Sequence, residues 1–251
     1  MVGQSSRFFE PMLRQRRDFE AGRHGELVSV ESHYHHDHRN YMRFTWAAGG
    51  AMNWGFGGLS HPVDLVRYYL PDIEEVFGYG CISPNGRELE LTTADTMHFV
   101  LKAAGGQVAR VSGAYGTPGQ VEERESLVTC ILRGTKGCSQ ADYLDLRYST
   151  NFEGEQEQVH RFPEMHDYYF RFESTYHHAG EFQNYLDYFG RCLLSGETAH
   201  PDLYEGVVTV GVMIAMQESL RTGQPVRVAE VLKAHGILPN GHPNIAAPKT
   251  K

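Results

Sequence analysis

Residues 55–69 read GFGGLSHPVDLVRYY, three glycines and a His–Pro pair set directly before an amphipathic stretch. Two readings compete, a phosphate-binding loop and a turn that clears space before a helix. The first fails on spacing. Gly55-x-Gly57 is followed by Ser60 where a dinucleotide fingerprint needs its third glycine, and no apolar strand leads into it. Gly50 and Gly55 have the spacing of a P-loop, but Phe56-Gly57 follows instead of Lys-Ser/Thr. The glycines therefore read as turn or packing glycines. Beyond them Val63, Val66, Tyr69 and Leu70 recur at helical spacing, with Pro62 suited to a first turn and Pro71 closing the run. The expectation is a loop through the glycines and a helix over 62–70.

On the N-terminal side, EPMLRQRRDFEAG (10–22) predicts a short helix stopped at Gly22. ELVSVESHYHHDH (26–38) predicts a strand that starts in a core and ends at a polar, histidine-rich rim. On the C-terminal side, residues 73 to about 150 change to strand patterns joined by Gly-Gly and Gly-Thr-Lys-Gly turns, a mostly antiparallel meander. In SLVTCILRG, Leu127 and Ile131 face one way and Val128, Cys130 and Leu132 the other, so both faces of this sheet read as buried. Two further helices follow in EFQNYLDYFGRCLLSG and DLYEGVVTVGVMIAMQESLRTG, the second ending at Gly223. The organisation expected is one α+β domain over residues 1–240 and a flexible tail over 241–251.

The 251 residues suffice for a substantial core, and a formal charge of -8 disfavours a nucleic-acid surface. No apolar run approaches a membrane span and the first residues lack a signal-peptide pattern, so a cytoplasmic protein is expected. Cys81, Cys130, Cys138 and Cys192 form no C-x-x-C pair and read as reduced thiols.

Two features carry possible chemistry. HYHHDHR (33–39) alternates His33, His35 and Asp37 against Tyr34, His36 and His38, a pattern open to a metal site, to hydrogen bonding of a polar ligand or to a solvated strand end. His61 and Asp64 share a helical face at i, i+3; His61 suits a base oriented by a neighbour, or simply ends the loop. There is no G-x-S-x-G elbow, which disfavours serine hydrolases.

In order along the chain, SSRFFEP, a helix, EAGRHGELVSVESHY, GGAMNWGFGGLSHPVDLVRYYL, a meander with LRGTKG, and YEGVVTVGVMIAMQESLRTGQPVRV resemble the C-terminal, substrate-binding domain of the Gfo/Idh/MocA family over about residues 2–235. The family comprises NAD(P)-dependent sugar and polyol oxidoreductases. The resemblance implies a large, open, mostly antiparallel sheet with helices on one face, the dihydrodipicolinate-reductase-like fold. It implies a sugar or polyol substrate, NAD or NADP as cofactor held by a Rossmann domain that these residues do not contain, and a homodimer or higher oligomer through the open sheet face. Tight NAD(P) binding by this chain alone is not expected, whether it is a fragment or a natural form without the cofactor domain. His61 and Asp64 match the H-x-x-D end of the family's D-x-G-x-H-x-x-D pattern, as acid/base and its companion. Gly57 stands where that pattern has its first aspartate, and Leu59 where it has glycine. Arg7 corresponds to a crossover arginine near the cleft, and His35, Asp37, Arg39 and Trp54 are implied in substrate recognition. A scaffold subunit, or a non-redox lyase or isomerase using His61 and the 33–39 cluster, is the alternative.

Overall fold

The computed structural model describes residues 1–48, 51–118, 127–143, 145–162 and 180–237; the tail expected at 241–251 lies outside them. Strand β1 (Leu27–His35) is the centre from which the sheet grows. On one side it pairs parallel with β4 (Val108–Ala114), which continues antiparallel through β3 (Thr96–Ala103) and β2 (Ile73–Cys81) to a short β9 (Val226–Arg227). On the other side β5 (Val128–Gly134), β6 (Gly137–Tyr143), β7 (Arg147–Phe152) and β8 (Gln158–Arg161) follow in an antiparallel meander. The order is β8-β7-β6-β5-β1-β4-β3-β2-β9, the open, mostly antiparallel α+β sheet expected.

Helices α1 (Glu10–Glu20), α2 (Trp54–Tyr69) and α5 (Leu203–Thr222) cover one face, with the short α3 (Pro84–Glu88), α4 (Glu181–Ser195) and α6 (Val228–Ala234) around them. Alternation along the strands sends Val30, Phe99, Leu101, Val111, Cys130 and Leu132 into this layer, beneath Leu59, Val63 and Val66 of α2. Gln15 pins α1 to the sheet by donating to the Cys130 carbonyl at 3.0 Å. α5 starts on a capping box between Asp202 and Glu205 and stops at Gly223, whose φ of 65° only glycine adopts cheaply.

Two expectations are corrected. α2 begins at Trp54, so GFGG is helix rather than loop and Pro62 lies inside it. Asn53 caps the first turn by accepting from the Gly55 amide at 2.9 Å. The glycines are demanded by packing: a Cβ on Gly58 would fall 2.1 Å from the Tyr115 ring, and one on Gly55 2.1 Å from Gln217 Nε2. The second correction concerns the face away from the helices, which is polar across much of its width. Thr129 and Arg133 share the side of Ile131; Glu31 bridges Arg110 and Arg133; and the fully buried Asp142 accepts from Thr129 Oγ1 and Arg147 Nε, both at 2.8 Å. Counting only the apolar residues of SLVTCILRG hid this.

Gly57 and Gly58 make a matched test. An alanine in a helix gains roughly 1 kcal/mol over glycine. At Gly57, which is exposed, the new Cβ meets only the movable end of Met52, so Gly57→Ala is expected to leave urea stability unchanged or raised. Gly58→Ala drives into a buried ring and is expected to lose about 1–3 kcal/mol.

His24 supplies a pH signature. It is fully buried beside Ser139 Oγ at 2.8 Å, and burial pulls its imidazole down to about 4, Asp18 opposing and Arg23 assisting. The unfolded chain then binds the extra proton between about 4 and the ordinary 6.5, so stability is full above that window and falls as pH drops through it. The expected loss is on the order of 2–3 kcal/mol, and His24→Gln should flatten the slope of urea stability against pH across that range.

Candidate active site at the end of β1

The N-terminal 3-10 turn Ser5–Phe8 lies against α2 and sets two adjacent side chains onto two α2 residues one turn apart. Ser6 Oγ is 2.6 Å from His61 Nδ1. Arg7 donates from Nε and Nη2 to the two oxygens of Asp64, at 2.6 and 2.7 Å. Arg7 and Asp64 are 4% and 0% exposed, so this is a bidentate ion pair out of water. Burial alone would lower the Arg7 guanidinium; the Asp64 hydrogen bond and charge more than reverse it. Arg7 also stacks 4.5 Å over Tyr68 and reaches Glu205 of the α5 capping box at 3.4 Å.

His61 is half-buried in mid-helix, with its ring 5.6 Å from that of Tyr34 in an edge-on contact. Tyr34 closes on His38, Oη to Nε2 at 3.1 Å, and burial pushes its phenol up to about 12, keeping it protonated. Beneath these lie Trp54 and Tyr115, 5.1 and 5.6 Å from the His38 ring. Both are buried, and neither Trp54 Nε1 nor Tyr115 Oη has a hydrogen-bond partner among the described residues.

The residues singled out from sequence thus fall into separate groups. His61, Asp64 and Arg7 come together, but Asp64 gives both oxygens to Arg7, a positioning role. Trp54 forms the buried floor. Asp37 and Arg39 form their own rim pair, Nε to Oδ1 at 2.8 Å and Nη2 to Oδ2 at 2.6 Å, and the Arg39 hydrogen bond holds the Asp37 carboxyl below its ordinary value. His35 lies on the opposite face of the sheet from Tyr34 and His61, its Nε2 3.1 Å from Ser112 Oγ and its ring stacked on His33 at 4.4 Å. Strand alternation requires this separation. Sequence reasoning named Tyr34 and His38 only as part of the 33–39 pattern, and passed over Ser6 and Tyr115. The alternation of Tyr34 and His38 was the available signal for the first two; nothing local marks Ser6 or Tyr115.

Among the described residues, the one group of three donors close enough to share an ion is His200, Asp202 and Glu205. These are engaged in the α5 cap, with Asp202 Oδ1 accepting from the Glu205 amide at 2.8 Å and His200 Nδ1 at 2.5 Å from Glu205 Oε2. The histidines at 33–38 make no such group: His33 and His35 share one face of β1, and His36 and His38 follow its end.

The model of the GFO/IDH/MocA C-terminal domain matches residues 12–139, just over half of the chain. The chain belongs to the Gfo/Idh/MocA family. No curated protein sequence matches it. Among solved structures, an oxidoreductase from Agrobacterium radiobacter in complex with NAD+, L-tartaric acid and magnesium aligns with a TM-score of 0.73 at 16% identity, over 92% of this chain and 66% of that one. A levoglucosan dehydrogenase in complex with NADH and levoglucosan gives 0.70 at 16%, over 90% and 65%. The scyllo-inositol dehydrogenase of Lactobacillus casei, with NAD(H) and scyllo-inositol, gives 0.68 at 16%, over 91% and 64%. This Gfo/Idh/MocA chain spans just under two thirds of the length of these structures, and at such identity the likeness is one of fold. No helix among its described residues is long and apolar enough to cross a membrane.

The Arg7–Asp64 pair is expected to behave as structure. Asp64→Asn strands a buried guanidinium and should cost about 3–5 kcal/mol in urea unfolding, whereas Arg7→Met with Asp64→Leu should recover most of that loss.

Proposed function

We propose that this chain is the substrate-binding and oligomerisation part of an oxidoreductase that moves hydride between a carbohydrate hydroxyl carbon and NAD(P), with His61 as the residue that holds or takes the hydroxyl proton. The observation that carries the reading is the imidazole of His61, fixed in mid-helix by Ser6 on one side and the Tyr34 edge on the other, in a chain of the Gfo/Idh/MocA family. A general base acts through a nitrogen held at a fixed angle to its proton donor, and these two contacts set the ring plane. Asp37 and Arg39 at the rim offer acceptors and donors for further hydroxyls.

The described residues do not fit a dinucleotide. The only parallel pair among them is β1 with β4, and the α2 N-terminus is closed by the Asn53 side chain instead of opening on a glycine loop. No step through the nicotinamide is therefore derived, and the cofactor would be held by residues other than those described. The neighbours in complex with levoglucosan and scyllo-inositol support a polyol or sugar as substrate.

Assembly through the open sheet face is part of the proposal. Its β2–β4 side carries Tyr79, Val100 and Val108 at 70, 57 and 48% exposure beside Phe77, an apolar strip next to the charged networks. Such a strip suits the core of a polar-rimmed interface.

The site is tested by following backbone amide shifts of the 251-residue chain during titration with scyllo-inositol and levoglucosan. Saturable shifts around Tyr34 and His61 are expected, weakened about tenfold or more in His61→Ala. Shifts that do not saturate at any polyol, or that ignore His61→Ala, would sink the reading. Assembly is tested separately by light scattering, where Val100→Glu is expected to convert the oligomer to monomer.

A further inference from the structure

Strand register lines up a transverse row of side chains on the open face of the sheet. Tyr79 of β2 stands opposite His98 of β3, His98 opposite Ser112 of β4, Ser112 opposite His33 of β1, and His33 opposite Thr129 of β5. A third histidine, His35, follows on the same face of β1, stacked on His33 at 4.4 Å and with Nε2 3.1 Å from Ser112 Oγ. The row runs into the apolar strip of β2–β4: exposed His98 lies between Tyr79 across the strand gap and Val100, the next residue of β3 on that face. A partner that covers the strip must cover His98 too.

Charge on this face is close to balanced while the imidazoles are neutral. From β9 to β5 the register places four cations there, Arg227, Lys102, Arg110 and Arg133. Against them stand three carboxylates, Glu75, Glu31 and Glu74, the last paired with Lys102. The sum is one positive charge, and it becomes four when His33, His35 and His98 each take a proton. Glu31 cannot absorb the difference, being shared already between Arg110 and Arg133. Around His98 itself β2 presents Tyr79 and Cys81, β4 presents Arg110 and Ser112, and β1 lies beyond with His33 and His35, so its surroundings are neutral or cationic. Loss of surrounding water, and then the charges of His35 and Arg110, pull the His98 imidazole below its ordinary value.

An identical copy brings the same sum of charge to the contact. Two faces with one net charge each, most of it paired within its own chain, leave the apolar strip available for burial. Two faces with four each repel, and an imidazolium beside Arg110 would also have to shed its water. Building on the assembly part of the proposed function, we infer that the open sheet face is a pH-gated interface between two copies of this chain, closed while His33, His35 and His98 are neutral and opened when they are protonated. The sign follows from His98. Its proton affinity is depressed in the single chain, and burial under a copy depresses it further, so the separated chain binds the extra proton. Assembly is therefore full above the ordinary 6.5 and is lost as pH falls below it.

Light scattering of a dilution series gives the dissociation constant of the 251-residue chain at each pH, with far-UV circular dichroism of the same samples as the control for folding. From about pH 7.5 to about pH 5.5 the constant is expected to rise about tenfold or more with the circular dichroism unchanged. His98→Gln should remove most of that rise, and His33→Gln with His35→Gln and His98→Gln all of it. His98→Lys, which fixes the charge, should weaken assembly about tenfold already at about pH 7.5. A chain that assembles equally at both pH values, or a triple variant that keeps the rise, refutes the gate and leaves the assembly reading standing. A chain that is monomeric at the higher pH refutes both. Dissociation that tracks loss of the circular dichroism signal assigns the effect to unfolding, as through His24, and also overturns the inference.

Discussion

The Arg7–Asp64 ion pair is the constraint on which the candidate site rests. Arg7 follows Ser6 in a 3-10 turn, and Asp64 follows His61 by three residues in α2, so a bidentate lock between one pair fixes the register of the other. An N-terminal segment would otherwise be free to slide along a helix surface. Planar guanidinium on planar carboxylate removes that freedom, because two parallel hydrogen bonds define both distance and angle. The consequence is local and chemical, since Ser6 arrives at His61 Nδ1 with the ring already held by Tyr34.

Such a lock costs desolvation of two charges, which attraction alone offsets only partly. The surroundings supply further partners. Glu205 faces Arg7 while capping α5, and Arg67 of α2 donates to the Glu205 carbonyl at 2.7 Å and to Thr209 at 2.5 Å. The network thus ties the N-terminal turn, α2 and α5 into one polar core beside the apolar layer over the sheet. Apolar residues of equal volume could stabilise these helices as well, but they would not specify one register. Specificity of placement is the function that the charges serve here.

How much of this was legible in the sequence depended on whether the signal was periodic or compensatory. Strand periodicity in 26–38 and 127–132 gave the sheet, and helical periodicity in 63–70 and 203–222 gave the helices. The start of α2 was misread because Gly55, Gly57, Gly58 and Pro62 are poor helix formers, and local propensity outweighed a packing demand that exists only once Tyr115 and Gln217 are in place. The buried face of the sheet was read correctly and the open face too generously, because Thr129, Asp142 and Arg147 bury polarity by pairing across strands distant in sequence. Long-range pairing also hid Ser6 and Tyr115. Helical spacing found His61 and Asp64 and family resemblance added Arg7, but only the geometry separated a base candidate from the pair that positions it.

The departure at Gly57 has a physical sequel. By the resemblance, an aspartate would stand there; one turn before His61, it would supply charge to the imidazole. Here position 57 is exposed on α2, and the contact made to Nδ1 is the Ser6 hydroxyl from another segment. A neutral hydroxyl fixes ring direction through its hydrogen bond, but adds no negative charge to stabilise the protonated ring. Orientation and electrostatics, which one aspartate would combine, are divided in this chain: Ser6 orients His61, while Asp64, the neighbouring carboxylate, is spent on Arg7.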